Sequence, residues 1–344
     1  MKFKLLILAV IAFAGCNDAN KNNEAIDNKT EPVKVIFDTD MGNDVDDVLA
    51  IDMLYKYADQ QKIHFLGVLS TKYNTYSVPF IHLLNEWYGY ETLPVGTVEN
   101  GADSEGDSRN YAEAVWLMQK DGKQLFNHPD TSGKYHEATR LYRQLLAKQK
   151  DSSVVIISVG FSTNIARLLA SPADDLSPFN GKELVAKKVK LLSVMAGNFN
   201  GQNLPEYNVV KDIPAAQQAF SNWPGVIVFT PFELGIRVNY PAVSIENDFT
   251  WANPHPLVEA YKFYLDMPYD RPSWDLLSVL YAVEGEQYFE KSVAGTVTVN
   301  DKGITTFQAD PNGLHYYLNA SDEQTNAMLT AIKNLVTQKP KALK

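Results

Sequence analysis

The sequence predicts an α/β fold: a mostly parallel open sheet with helices on both faces and a small β-hairpin added near the C-terminus. Three observations carry this. Short β-branched, apolar runs alternate with segments of helical period almost throughout. The first such run passes directly into acidic residues and then into a helical pattern. After about residue 290 the character changes to two strand-like runs around a tight turn.

Taken in order, Val33–Phe37 reads as a buried strand, and Val48, Leu49, Ile51, Met53 and Leu54 fall on one helix after it. Phe65–Ser70 is a second strand, Val78–Tyr88 a helix, and Pro94–Gly96 a short strand and turn. Glu99–Asn110, rich in Gly, Asp, Ser and Glu, is a loop, and Tyr135–Lys148 is helical by periodicity. Val154–Val159 is the clearest strand, followed by Gly160 and a helix holding Ile165, Leu168 and Leu169. Val189–Ala196 and Val226–Thr230 are further strands, with a loop at Gly197–Pro205. Asn300-Asp301-Lys302-Gly303 joins Val293–Val299 to Ile304–Gln308 as a hairpin, and Glu323–Val336 is a closing helix.

The formal net charge of −10 argues against nucleic-acid binding, which a basic surface drives. At 344 residues the chain can bury a large core without staples, and its single cysteine, Cys16, excludes an intrachain disulfide. Lys2 and Lys4 precede an apolar run, Leu5–Phe13, that is too short to span a bilayer comfortably. Phe13-Ala14-Gly15-Cys16 then resembles a bacterial lipobox. That resemblance implies cleavage before Cys16, lipidation of its thiol, and an exported protein held at a bacterial membrane, periplasmic or at the cell surface, by its lipid alone. Residues 1–15 are read as signal peptide, 16–32 as a polar tether, and 33–344 as one domain.

The chemistry concentrates in Asp38-Thr39-Asp40-Met41-Gly42-Asn43-Asp44-Val45-Asp46-Asp47, five aspartates in ten positions at the end of the first predicted strand. Ligands bind at that edge of an open α/β sheet. Carboxylates this dense repel one another unless a cation compensates, and hard oxygen donors suit Ca²⁺ or Mg²⁺. An EF-hand loop is excluded, because the twelfth residue from Asp38 is Leu49 rather than Glu. An aspartyl-phosphate phosphatase would need a lysine and a second acidic motif downstream, and no convincing pair is present.

The same ten residues resemble the N-terminal signature of the inosine-uridine preferring nucleoside hydrolases. Further segments match in order: Tyr73-Asn74, Gly160-Phe161-Ser162-Thr163-Asn164-Ile165-Ala166, Met195-Ala196-Gly197-Asn198, Pro205-Glu206-Tyr207-Asn208, Asp212 and Ser273-Trp274-Asp275. The resemblance covers roughly residues 33–285. It implies hydrolysis of the N-glycosidic bond of a ribonucleoside or related ribosyl compound to free base and ribose. By the same resemblance Ca²⁺ is held by the carboxylates of Asp40, Asp47 and Asp275 and the backbone carbonyl of Thr163. Asp38 and Asp44 support the metal site, and Asp46 is the general base on a calcium-held water. Asn74, Met195, Asn198, Glu206 and Asn208 meet the substrate. Many members carry His where this chain has Trp274, which offers a face for stacking but no proton. Tyr73, Tyr76, Phe199, Tyr207 and Trp251 are further aromatics for a base pocket, whereas His82, His136 and His255 are left as structural or surface residues. The other reading is a catalytically weak, calcium-dependent ribosyl- or nucleoside-binding lipoprotein. The resemblance allows a homo-oligomer.

Overall fold

The computed structural model describes residues 31–102, 109–129 and 135–343, so the expected signal peptide, nearly all of the expected tether and Cys16 lie outside the described residues. The elements that build the site are β1 (Val33–Thr39), α1 (Asp46–Asp59), β2 (Ile63–Ser70), α2 (Ser77–Trp87), β3 (Val95–Thr97), β4 (His136–Glu137), α3 (Ala138–Ala147), β5 (Val154–Ser158), α4 (Thr163–Ala170), α5 (Gly181–Lys188), β6 (Val189–Met195), α6 (Tyr207–Lys211), α7 (Ile213–Asn222), β7 (Ile227–Thr230), α8 (Pro256–Tyr264), α9 (Trp274–Glu284), β8 (Gly295–Val299), β9 (Thr305–Ala309), β10 (His315–Asn319) and α10 (Asp322–Val336).

The strand order is β9-β8-β10-β7-β6-β5-β1-β2-β3-β4. Every pairing from β10 through β4 is parallel, and β8 pairs antiparallel with both β9 and β10. The predicted fold class is therefore observed. From β1 the chain builds outward through β2, β3 and β4, then crosses back to β5 and builds the other way. β1 and β5 are thus the neighbours at which the winding reverses, where a crevice opens at the strands' C-terminal ends.

Strand alternation distributes the core onto two faces. Val35 and Phe37 of β1 join one apolar cluster with α1, α2, α9 and α10, and Ile36 joins the other with α3, α4, α5 and α7. Burial on both sides explains why Val35–Phe37 of β1 and Val154–Ile157 of β5 read as unbroken apolar runs.

Three expectations need correction. Tyr135–Lys148 is not one helix: His136–Glu137 pair with β3, and the helix begins at Ala138. The Glu137 carboxylate accepts the Thr139 and Arg140 N–H groups at 3.0 and 2.9 Å, which sets that boundary. The hairpin strands are shifted to Gly295–Val299 and Thr305–Ala309, leaving Val293 exposed. Nor does the hairpin stand apart. His315–Asn319, unassigned from the sequence, pairs in parallel with β7 and joins the hairpin to the main sheet.

Gly160, just after β5, decides how closely the two central loops approach. A Cβ there would lie 2.6 Å from the Asp40 backbone nitrogen and 2.6 Å from the Thr71 methyl. Neither neighbour is the far end of a flexible chain. Gly160→Ala is expected to destabilise the fold by about 2–3 kcal/mol, as overpacking against a fixed backbone does, and to weaken the site that Asp40 lines. Denaturant unfolding checks this; a wild-type midpoint would refute it.

Candidate functional site

The carboxylates converge because of where the helices start. Asp46 and Asp47 are the first two residues of α1, and Asp275 is the second residue of α9. Their N–H groups lack partners inside the helix, and the helix dipole favours negative charge there. Asp46 Oδ2 accepts the Asp275 N–H at 3.1 Å, which ties the two helix starts together. Ligand oxygens of Asp46, Asp47 and Asp275 all lie within 4.8 Å of one another, and all three residues are buried. Asp40 lies outside that tight trio but lines the same cavity, whose volume is about 540 Å³. That volume suits a small ligand.

The loop carrying these groups is braced from several sides. The Thr39 hydroxyl donates to Asp47 Oδ1. The Tyr111 hydroxyl accepts the Gly42 N–H at 2.8 Å and donates to the Asp44 carbonyl at 2.9 Å. The Ser77 hydroxyl donates to the Met41 carbonyl at 2.6 Å. Lys72, itself buried, donates to the Gly42 carbonyl at 3.3 Å.

Burial costs these carboxylates their hydration. It pushes Asp40 up to about 7, against which the charge of Lys72 acts. Burial and then the charge of Asp44 push Asp46 well up; burial and then Asp40 and Asp46 do so for Asp47. Asp275 is raised by burial and then by Asp46 and Asp47. Asp47 Oδ2 is buried and finds no hydrogen-bond donor among the described residues. An orphaned, buried carboxylate oxygen beside two others fits a hard divalent cation, whose charge would offset the repulsion.

Of the residues named from the sequence, the cavity is lined by Asp40, Asp44, Asp46, Asp47, Met195, Glu206, Asn208, Trp274 and Asp275. Glu206 caps α6, accepting the Asn208 and Val209 N–H groups at 2.8 and 3.2 Å and the Gly197 N–H at 3.3 Å, yet burial still pushes it up to about 7. Asn208 Nδ2 donates to the Val159 carbonyl at 2.9 Å. Asp44 is engaged by Arg271.

Asp38, Asn74, Thr163 and Asn198 do not line the cavity. Alternation along β1 sends Asp38 to the face opposite Phe37, where it accepts Tyr142 Oη at 2.7 Å and Asn164 Nδ2 at 3.1 Å. Asn74 closes a turn on the Tyr76 N–H at 2.8 Å. Thr163 starts α4, and its hydroxyl donates to Asp212 at 2.5 Å. The backbone of Asn198 is tied to Thr305 by bonds of 2.9 and 3.2 Å. Of the further aromatics only Tyr207 lines the cavity. Phe199 packs on Phe229 and Tyr317, Trp251 on His255, and Tyr73 is exposed. His82, His136 and His255 also lie elsewhere.

Sequence reading missed Asn43, Arg109, Val159, Phe232, Tyr264 and Arg271, which complete the lining. Arg271 carried one signal, its place four residues before Asp275 in a segment otherwise matched to a motif. Phe232 and Tyr264 carried none, because their patterns are those of ordinary helices.

These shifts set a pH dependence. A carboxyl raised to about 7 when folded binds its proton more tightly than in the unfolded chain. The stability these groups contribute is therefore fully present below the unfolded pKa, about 4, and is lost as pH rises through about 7. For Glu206 alone the full effect is on the order of 3 kcal/mol. Without divalent cations, Tm is expected to fall between pH 5 and pH 8. Millimolar Ca²⁺ should raise Tm more at pH 8 than at pH 5, since it binds the ionised carboxylates. Calorimetry with and without chelator checks both signs.

The model of the family described as inosine-uridine preferring nucleoside hydrolase matches residues 35–337. A plant nucleoside hydrolase, 18% identical, superposes with a TM-score of 0.68 over 90% of this chain and 100% of its own. A purine-preferring ribonucleoside hydrolase from Gardnerella vaginalis, 16% identical, gives 0.68 over 88% and 99%. An inosine-guanosine nucleoside hydrolase, also 16% identical, gives 0.68 over 89% and 99%. At these identities the superpositions establish the shared fold. No curated protein sequence matches the chain. The match across nearly the whole described chain, on the fold and acidic crevice above, places this protein in the inosine-uridine preferring nucleoside hydrolase family, hydrolases acting on N-glycosyl compounds.

Proposed function

We propose that this protein hydrolyses the N-glycosidic bond of a ribonucleoside, with Ca²⁺ held by the acidic cluster and Asp46 as general base. The observation that carries this reading is the meeting of Asp46, Asp47 and Asp275 in one ligand-sized cavity with the orphaned Asp47 Oδ2. Bound there, a divalent cation supplies a positive charge that makes an adjacent water easier to deprotonate. Asp40, Asp47 and Asp275 would hold it, and the Thr163 carbonyl is the further ligand the family resemblance implies. Asp46 takes the proton of the attacking water. Its choice over Asp44 is supported by the ion pair that occupies Asp44 with Arg271. The second oxygen of Asp46 is fixed by the Asp275 N–H, which orients the base. Glu206 and Asn208 offer carboxylate and amide groups to the sugar hydroxyls, so that binding energy favours the distorted, oxocarbenium-like ribose. Purine-preferring and inosine-guanosine hydrolases among the superposed structures support a nucleoside as substrate.

Ribose release from purine and pyrimidine nucleosides, beside an aryl riboside whose leaving group needs no proton, tests this directly. Turnover abolished by chelator and restored by Ca²⁺ is expected; turnover indifferent to chelator would overturn the metal assignment. Asp46→Asn is expected to lower kcat by on the order of 10²–10⁴. Unchanged turnover in that variant would remove Asp46 as base.

We propose also that the protein is exported and anchored through lipidated Cys16, on the support of the signal-peptide layout around it. Among the described residues no helix is long and apolar enough to cross a membrane. Cys16→Ala is expected to abolish radiolabelled-lipid incorporation and to shift the protein from the membrane to the soluble fraction. Persistent membrane association of that variant would reject the lipid anchor.

A further inference from the structure

Breaking a ribosyl C–N bond leaves an electron pair on the departing nitrogen, so the base end of the site must accommodate negative charge. Among the described residues no histidine lines the cavity. The Trp274 indole N–H is committed to the Phe232 carbonyl at 3.0 Å, and the ring packs on Phe232 with centroids 5.5 Å apart. Arg271 is differently disposed. Its Nε donates to Asp44 Oδ1 at 2.9 Å, and its Nη2 donates to the other Asp44 oxygen and to the Tyr264 hydroxyl, the latter at 3.2 Å. Its guanidinium lies over the rings of Tyr264 and Trp274, 5.1 and 5.3 Å from their centroids. These contacts pin the group, so little conformational entropy is left to lose on binding. They use Nε and Nη2; Nη1 makes no hydrogen bond with any described residue, although Arg271 lines the cavity.

We propose that Arg271 is the aglycone-recognition residue of this enzyme, presenting its unused N–H donors to the oxo-bearing edge of a 6-oxopurine and stabilising the charge that develops on the base as it leaves. An N–H of Nη1 matches the 6-oxo acceptor of such an edge, whereas adenine places an amino donor there and would be disfavoured. Arg271 transfers no proton, since a guanidinium stays charged. The C1′–N bond breaks and its electron pair leaves with the base. The oxygen of water bonds to C1′, and the water proton passes to the base carboxylate. The purine anion departs paired with Arg271 and takes a proton from solvent.

This inference rests on the hydrolase reading, and the test separates the two. kcat/KM is measured with Ca²⁺ present for inosine, adenosine and 4-nitrophenyl riboside, in wild type, Arg271→Lys and Arg271→Met, each checked for wild-type Tm. Arg271→Met is expected to lose roughly 10- to 100-fold more on inosine than on adenosine, and the loss on the aryl riboside, which reads what freeing Asp44 beside Asp46 does to the machinery itself, sets the baseline for both. Arg271→Lys, which keeps the charge without the fork, is expected to fall between, and it carries the comparison if the Met variant is unstable. Equal losses on all three substrates, no loss on inosine, or a wild-type preference for adenosine would each overturn the assignment. If the wild type cleaves none of the three, the hydrolase reading fails. Titration calorimetry then still decides on Arg271: weaker inosine binding in Arg271→Met with adenosine unaffected supports it, and an unchanged inosine Kd overturns it.

Discussion

Four carboxylates, Asp40, Asp46, Asp47 and Asp275, are buried around one cavity, and their mutual repulsion in a poorly hydrated place is the constraint on which the rest of the site depends. The protein answers it only in part. The cluster sits at two helix N-termini, one of which donates the Asp275 N–H to Asp46, Lys72 acts on Asp40, and Arg271 pairs with Asp44. What remains is one orphaned carboxylate oxygen and a set of strongly raised pKa values. Such an arrangement is one whose repulsion a divalent ion would offset.

The fold supplies the crevice in which this is possible. Reversal of winding between β1 and β5 leaves the loops after both strands side by side, and Gly160 lets them come closer than any side chain would permit. The start of α9 arrives from far along the chain to complete the cluster, fixed by the bond from its Asp275 N–H to Asp46. Asp38 stands just before the crevice but belongs to the opposite face of the sheet. There it braces β1 against Tyr142 of α3 and Asn164 of α4. One residue type in one motif thus serves both the site and its scaffold.

The cavity is polarised. One flank is acidic and suited to a cation and a polyhydroxylated sugar. Beside it Arg271, paired with Asp44, lies over the rings of Tyr264 and Trp274, and Phe232 stacks on Trp274. A ribosyl compound entering it meets donors and acceptors that discriminate its two ends, which fixes its orientation before any bond is broken.

Much of this was legible in the order of residues. The acidic run and the parallel α/β character follow from local patterns: apolar runs bounded by turns, and carboxylates placed where a strand ends. Asp275, Glu206 and Asn208 were legible only through segments that resemble the family's, since nothing local marks them. What the tertiary structure alone decided is which way each side chain faces and what it meets at long range. The resemblance set Asp38 in support of the metal site, but only the folded sheet shows that its side chain meets Tyr142 and Asn164. Asn74 and Asn198 were drawn in by motif order, although turn and backbone bonds hold them elsewhere. Tyr264 and Phe232 stayed invisible, because a side chain distant in sequence becomes part of a site only when packing brings its helix or loop to the cavity. The strand at His315–Asn319 was missed likewise, since its pairing with β7 bridges more than eighty residues. Local periodicity encodes an element and its caps; only the closed chain decides which elements share a wall.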